Sequence, residues 1–231
     1  MKVIGLIGGM SWESTVPYYQ HINRAVRDRL GGHSSARIIL YSVDFAEIER
    51  LQQVGAWDEA GRALASTAVA LQDAGAEFLV LCTNTMHKVA LAIEAAVRIP
   101  LLHIADATAA AVKARGFTKV GVLGTRFTME QDFYTGRLAQ SHGLKVVIPE
   151  AEDRRLVHDV IYEELCQGLV RAESREKYVG VVHRLAARGA QAVILGCTEI
   201  SLLVTPEDSP LPVFDTTAIH ALAAAEHALM P

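Results

Sequence analysis

Three cysteines, Cys82, Cys166 and Cys197, are the most readily reactive side chains in this 231-residue sequence. Their number is odd and no Cys-x-x-Cys pair occurs, so neither a disulfide framework nor a zinc site is expected. Cys197 lies in Gly196-Cys197-Thr198-Glu199, between an apolar run and a helix-like stretch. A helix N-terminus lowers the pKa of a nearby thiol from about 8.5. We therefore predict that Cys197 is a functional thiol with a lowered pKa, and that Cys166, within a helical pattern, serves packing.

A second polar segment, Cys82-Thr83-Asn84-Thr85-Met86-His87, closes another apolar run in the first half of the chain. Side chains alternate along a strand, so Cys82 and Thr83 cannot both face the same side. Asn84 and Thr85 supply amide and hydroxyl donors, and both residue types are also common helix N-caps. His87, with His103, is the histidine nearest the ends of the predicted strands.

Two glycine-rich turns offer further donors, at Gly8-Gly9-Met10-Ser11 and at Gly124-Thr125-Arg126-Phe127-Thr128. Neither has the G-x-G-x-x-G or G-x-x-x-x-G-K-[ST] pattern of nucleotide-binding loops. Glycine lets backbone N–H groups approach a small anion, and the adjacent hydroxyls suit a carboxylate. No H-E-x-x-H or G-x-S-x-G motif occurs, so metallohydrolase and serine-hydrolase chemistry are disfavoured.

Short apolar runs that alternate with amphipathic stretches must position these residues. Continuous apolar runs are typical of parallel strands covered by helices on both faces, and they predict an α/β fold. Predicted helices cover residues 14–30, 57–74 and 127–141, each ending near glycine, and residues 150–155 begin another. The predicted strands are Val3–Ile7, Arg37–Val43, Phe78–Cys82, Leu101–Ile104, Val120–Leu123, Lys145–Ile148, Ala192–Leu195 and Val213–Phe214.

A weak internal repeat indicates two similar α/β lobes. Ile4-Gly5-Leu6-Ile7-Gly8 resembles the segment 116 residues later, and the segment beginning at Leu71 resembles the one 114 residues later. We predict a first lobe over 1–104, a second over 105–207, and a C-terminal segment, 208–231, that packs back on the first. The offset of 114 matches Thr83 with Cys197 at strand ends, where open α/β sheets bind ligands, so the strand ends are expected to face one cleft.

Charge and hydropathy exclude several classes of function. Lys plus Arg number 22 and Asp plus Glu 26, a formal net charge of −4 without a basic cluster, which argues against a nucleic-acid partner. No apolar run approaches the roughly 18 residues of a membrane span, and the first ten residues lack a signal-peptide pattern. A cytoplasmic location is therefore expected.

At the motifs Gly8-Gly9-Met10-Ser11, Asn84-Thr85 with His87, and Gly196-Cys197-Thr198-Glu199, the sequence resembles the aspartate/glutamate racemase family of cofactor-independent racemases. The resemblance covers essentially the whole chain and is closest to the L-aspartate/glutamate-specific members. It implies two lobes related by pseudo-twofold symmetry, a homodimer, an amino-acid substrate in the cleft, and no pyridoxal phosphate or metal.

The resemblance also implies two-base chemistry, because members typically carry one cysteine from each lobe on opposite sides of the substrate α-carbon. Here Cys197 matches the second cysteine, whereas Thr83 stands at the first position; an alignment that uses Cys82 breaks the strand phase and the repeat. Cys197 is thus expected to deprotonate the L-enantiomer and Thr83 to reprotonate the other face. The expected substrate-binding residues are Met10 through its backbone, Gln52, Asn84, Thr85, Thr125, Thr128 and Thr198.

Two other functions agree with a single cysteine of the expected pair. One is a decarboxylase of the arylmalonate type, in which one thiol protonates a carbanion. The other is a non-catalytic protein that binds or senses an amino acid. Apart from the resemblance, the segment that contains Gln52 has the pattern of a solvated helix edge.

Overall fold

The computed structural model of the protein describes residues 1–230, which form two compact units. Unit 1 comprises Met1–Ile104 and the described residues from His220 onward, and unit 2 comprises Ala105–Ile219. Each unit contains a four-stranded parallel sheet with helices packed against it, so the α/β prediction is confirmed.

The sheet of unit 1 has the strand order β2-β1-β3-β4. Its strands are β1 (Ile4–Gly8), β2 (Ile38–Ser42), β3 (Phe78–Leu81) and β4 (Leu101–Leu102). The helices between them are α1 (Trp12–Leu30), α2 (Phe45–Gln53), α3 (Trp57–Asp73) and α4 (Ala90–Ala96). A 3-10 turn, Thr85–Val89, precedes α4.

Unit 2 has the same connectivity, with the strand order β6-β5-β7-β8. Its strands are β5 (Lys119–Gly124), β6 (Lys145–Val147), β7 (Ala192–Gly196) and β8 (Val213–Asp215). The remaining helices are α5 (Ile104–Ala114), α6 (Arg126–Glu130), α7 (Thr135–Gln140), α8 (Ala151–Glu163), α9 (Ala172–Ala187), α10 (Ile200–Leu203) and α11 (Thr216–Leu229).

Alternation along the strands of unit 1 produces a separate apolar core on each face of its sheet. Ile7, Leu79 and Leu81 pack on one face with residues of α2, α3 and α4. Val80 and Cys82 pack on the opposite face with α1 and α11. Both faces are therefore buried, which explains why the strands are continuous apolar runs rather than alternating ones.

Strand registers show that the internal repeat is structural. Ile4 pairs with Phe78 in unit 1, and Val120 pairs with Ala192 in unit 2. Ile4 and Val120 are 116 residues apart, and Phe78 and Ala192 are 114 apart, the same offsets that the sequence shows. Thr83 and Cys197 consequently occupy equivalent positions, each two residues beyond the aligned leucines Leu81 and Leu195.

Two details of the sequence prediction are wrong. Residues 208–219 belong to unit 2, where β8 is hydrogen-bonded to β7, and only the described residues from His220 onward belong to unit 1. The helix predicted over 127–141 is two helices, α6 and α7, because Gln131 adopts an extended conformation (φ −112°, ψ 146°) that no helix continues through. No helix within the described part of the chain is long and apolar enough to cross a membrane.

Candidate active site

The turn after β7 carries a thiol, a hydroxyl and a carboxylate in direct contact. The Cys197 thiol donates a hydrogen bond to Glu199 Oε2 over 3.0 Å, and the Thr198 hydroxyl donates to the same oxygen over 2.8 Å. All three residues are buried, with 8%, 5% and 2% of their surfaces exposed for Cys197, Thr198 and Glu199. One carboxyl oxygen of Glu199 therefore accepts from both the thiol and the hydroxyl.

The predicted lowering of the Cys197 pKa is wrong. Burial raises the pKa of this thiol well above its ordinary value, and the Glu199 carboxylate raises it further. Two features of the turn explain the difference. The helix that follows, α10, has only four residues and begins three positions beyond Cys197, and a negative charge lies within hydrogen-bond distance of the sulfur.

The equivalent turn of unit 1 begins after β3 and holds Thr83, Asn84 and Thr85, all buried. His87 braces this turn: its Nδ1 lies 2.7 Å from the Thr83 carbonyl oxygen, and the Ile104 amide donates to its Nε2 over 3.2 Å. A carbonyl only accepts and an amide N–H only donates, so Nδ1 carries the proton. The His103 ring lies 4.4 Å from the His87 ring, centroid to centroid.

Cys82 lies directly after β3 and is buried on the apolar side of the sheet. It packs in the apolar core between the sheet and α1, and its Sγ lies 3.8 Å from the Val80 carbonyl oxygen. Burial raises the pKa of this thiol far above its ordinary value, so it stays protonated. Cys166 lies in the partly exposed 3-10 turn Leu165–Gln167 of unit 2.

Met10 and Gln52 are both buried in unit 1, Met10 in the turn after β1 and Gln52 in α2. The Gln52 amide donates to Met86 Sδ over 3.0 Å, so the view of this segment as a solvated helix edge is wrong. Gln52 follows Ile48 by four positions and adjoins Leu51, and this spacing puts all three on the buried face of α2.

Thr125 and Thr128 are buried together after β5 in unit 2. The Thr125 hydroxyl accepts a hydrogen bond from the Thr128 amide over 3.3 Å and caps α6, and the two hydroxyls are 3.2 Å apart. This turn adjoins the one that carries Cys197, because β5 and β7 are paired as far as Gly124 and Gly196. A Cβ on Gly124 would lie 2.8 Å from the Gly196 carbonyl oxygen, so glycine is required for this close approach.

Apart from Gln52 in α2, the candidate residues of each unit therefore lie in the turns after its strands. Sequence analysis did not select Glu199 or His87 for catalysis or binding, although both make clear contacts in these turns. Glu199 accepts from Cys197, and His87 holds the turn that contains Thr83. The signal for Glu199 was its position two residues after the cysteine. No group of three or more His, Cys, Asp or Glu in residues 1–230 is arranged to hold a metal ion.

Comparisons with known proteins agree with this arrangement. Residues 7–224 match the Asp/Glu/hydantoin racemase family. The broad specificity amino-acid racemase RacX of Bacillus subtilis (strain 168) is 22% identical over 228 residues, which cover 94% of this chain and 93% of RacX. The crystal structure of a candidate Asp/Glu racemase from Yersinia pestis is 59% identical, with a TM-score of 0.93 and 100% coverage of both chains. The structure of an aspartate racemase homologue from Pyrococcus horikoshii OT3 is 35% identical, with a TM-score of 0.85 and the same coverage.

The two α/β units with four-stranded parallel sheets match the fold of these racemase-like structures. The chain belongs to the Asp/Glu/hydantoin racemase family, and the protein is accordingly an isomerase, an amino-acid racemase. The resemblance seen in the three sequence motifs is confirmed at the level of the family.

Proposed function

We propose that the protein racemises L-aspartate and L-glutamate, with Cys197 as the group that removes the α-proton and Thr83 as the group that returns one. The observation that carries the proposal is the shared strand register, which puts a thiol and a hydroxyl at equivalent positions of two equivalent turns. The Asp/Glu component of the family and the likeness to an aspartate racemase homologue support acidic amino acids as substrates.

The proposed reaction balances with water as the only other reactant. The Cys197 thiolate takes the α-proton, the C–H bond breaks as the S–H bond forms, and the electron pair delocalises into the α-carboxylate. The Thr83 hydroxyl then delivers its proton to the opposite face of the α-carbon and regains one from water, and the Cys197 thiol releases the proton that it took to water, which restores both groups. A threonine hydroxyl is a much weaker acid than a thiol and a poor general base, so the reaction should proceed far better from the L-enantiomer than from the D-enantiomer.

Buried donors in the same turns are the proposed carboxylate-binding groups. Asn84, Thr85 and Thr198 would hold the α-carboxylate, where hydrogen bonds also stabilise the enediolate-like carbanion. The side-chain carboxylate would be held by the remaining candidates: the Met10 backbone, Gln52, Thr125 and Thr128. Independence from pyridoxal phosphate and metals, a homodimer and a cytoplasmic location belong to the same proposal; activity after exhaustive dialysis against a chelator and the mass in solution test the first two.

Exchange of the α-proton in D₂O, followed by NMR for both enantiomers of aspartate and glutamate, tests the proposed mechanism. We expect rapid exchange of the L-enantiomers, slow exchange of the D-enantiomers, and a selective gain with the D-enantiomers in the Thr83→Cys variant. Equal exchange of both enantiomers by the native protein would contradict the assignment of Thr83.

The Cys197→Ser variant separates the alternatives to racemisation. Loss of exchange in this variant supports an enzyme, whereas amino-acid binding without exchange in both native and variant protein supports a sensor. Release of CO₂ from an arylmalonate, without racemisation of aspartate or glutamate, would assign the decarboxylase instead.

A further inference from the structure

Strand β8 of unit 2 ends beside the turn that carries Cys197. Leu195 of β7 pairs with Asp215 of β8, so the chain leaves both strands at the same edge of the sheet. Cys197 comes two residues after Leu195, and Thr217 likewise comes two residues after its own strand partner. The Thr216 hydroxyl donates to the Leu195 carbonyl oxygen over 2.7 Å and ties the start of α11 to β7. Thr217 therefore lies beside the turn of the proposed base, within the same unit.

The Thr217 hydroxyl is buried at this position without a partner. Thr217 is 2% exposed, and its Oγ1 has no hydrogen-bond partner among residues 1–230. The backbone donors beside it are occupied, because Asp215 Oδ1 accepts from the Thr217 amide over 2.8 Å and from the Ala218 amide over 3.3 Å. A buried hydroxyl costs free energy unless another group binds it. This hydroxyl is therefore available to a ligand at the edge of the sheet where Cys197 lies.

The surroundings of this hydroxyl favour a cation over an anion. Asp215 caps the N-terminus of α11, and its carboxylate offsets the positive end of the helix dipole. The same negative charge disfavours a substrate carboxylate two residues away. A threonine hydroxyl has two acceptor lone pairs, which suit an ammonium N–H. Both carboxylates of the proposed substrate have candidate donors in the turns described above, whereas no acceptor has been assigned to its α-ammonium group.

We propose that the Thr217 hydroxyl oxygen accepts a hydrogen bond from the α-ammonium group of the amino-acid substrate. This inference rests on the proposed function, because it requires that the substrate α-carbon lie beside Cys197. The Asp215 carboxylate adds a longer-range attraction for the same group. The ammonium group is then fixed beside the carbon that loses its proton, where its positive charge stabilises the carbanion. Thr217 thereby discriminates amino acids from dicarboxylic acids that lack the ammonium group.

The Thr217→Val variant tests this assignment, because valine has the shape of threonine and lacks the hydroxyl. The measurements are the KM of L-glutamate in α-proton exchange and the Ki of glutarate, which has both carboxylates of glutamate but no ammonium group. We expect the KM of L-glutamate to rise roughly 10-fold, as for loss of one hydrogen bond to a charged group, while the Ki of glutarate stays native. Thr217→Ser keeps the hydroxyl and should have a KM close to the native value.

Stability without ligand separates this role from a structural one. Removal of a buried hydroxyl that has no partner should leave the urea midpoint of Thr217→Val at or above the native midpoint. Thr216→Val is the matched contrast, because it removes the bond to the Leu195 carbonyl oxygen and should lower the midpoint. Thr67→Val is the control for activity. Thr67 is buried in α3, its hydroxyl donates to the Ala63 carbonyl oxygen over 3.2 Å, and its replacement should change neither the KM nor the Ki.

Several outcomes would overturn the role of Thr217. A native KM in Thr217→Val does so, as does a serine variant as weak as the valine variant. An equal rise of the KM and the Ki would show that the hydroxyl contacts a carboxylate. A urea midpoint for Thr217→Val as low as that of Thr216→Val would show that the hydroxyl supports the fold instead. If the native protein does not exchange the α-proton of L-glutamate, the proposed function and this inference fail together; if it does, and Thr217→Val keeps the native KM, only the role of Thr217 fails.

Discussion

At the scale of single residues, two buried cysteines in similar positions have opposite surroundings. Cys82 follows β3 on the apolar side of the sheet, whereas Cys197 contacts a carboxylate in the polar turn after β7. Both thiols have raised pKa values, so the pKa alone does not separate them. The difference is the hydrogen-bond acceptor: a backbone carbonyl for Cys82 and a carboxylate that can take a proton for Cys197.

Replacing Cys82 by alanine tests which cysteine is used. The change removes a buried sulfur from the core and should cost about 1 kcal/mol of unfolding free energy, measured by urea denaturation. Exchange of the α-proton of L-glutamate should match that of the native protein. A loss of exchange comparable with that of Cys197→Ser would show that the alignment through Cys82, and not Thr83, is correct.

The residue-level predictions from sequence succeeded where strand alternation decides the outcome. The opposite directions of Cys82 and Thr83 follow from alternation alone, and the structure confirms that Cys82 lies in the apolar core. The pKa of Cys197 could not be predicted, since it depends on burial and on the orientation of the Glu199 side chain. The spacing of apolar residues in α2 would have identified Gln52 as buried, because Ile48 and Leu51 lie on the same face of the helix.

At the scale of elements, the close contact of β5 with β7 depends on glycine. Replacing Gly124 by alanine puts a Cβ 2.8 Å from the Gly196 carbonyl oxygen and 3.2 Å from Thr128 Cβ. A backbone carbonyl cannot rotate away, so we expect a loss of roughly 1–3 kcal/mol in unfolding free energy. Urea denaturation measures this loss. Repeated with L-glutamate present, it should show less stabilisation by the ligand than in the native protein, because the turn that follows Gly124 carries Thr125.

Gly180→Ala is the control for this change. Gly180 lies inside α9, and its nearest neighbour for an added Cβ is Arg184 Nη1 at 3.5 Å, an ordinary contact. Alanine has the higher helix propensity, so this variant should gain up to about 1 kcal/mol. Equal stability of the two variants would show that the approach of the strands tolerates a side chain.

The strands were predictable from sequence because a strand that is buried on both faces appears as a continuous apolar run. All eight strands occur where apolar runs predict them, with ends that differ by one or two residues. The break between α6 and α7 was not predictable in this way, since the helical pattern continues through it. Tyr134 is fully buried at the start of α7, which is a tertiary feature, and the Arg137 amide donates to the Asp132 carbonyl within the break.

At the scale of the whole molecule, His220 joins the C-terminal helix to two other segments of unit 1. Its Nδ1 accepts from the Tyr18 hydroxyl over 2.9 Å, and its Nε2 donates to the Leu102 carbonyl oxygen over 2.8 Å. Acceptance at Nδ1 needs the neutral imidazole, and burial lowers the pKa of His220 from 6.5 to about 4.

This lowered pKa predicts a loss of stability in mild acid. The unfolded chain binds the proton below about pH 6.5, whereas the folded protein resists it until about pH 4. The contribution of His220 is therefore complete above pH 6.5 and is lost as the pH falls toward 4, by about 3 kcal/mol in total. Urea denaturation from pH 7 to 4.5 should show that the unfolding free energy of His220→Gln depends less on pH than that of the native protein. The exposed His33→Gln control should retain the native slope.

The return of the last helix to unit 1 has a consequence for how the protein is made. The Lys2 amide bonds the Ala228 carbonyl oxygen over 2.8 Å, and four alanines of α11 complete the core on one face of the first sheet. A ribosome makes unit 2 as one uninterrupted segment, 105–219, before it reaches these residues. Although N-terminal domains generally fold first during synthesis, here the segment translated before unit 2 has a core that can be completed only after unit 2 has been made.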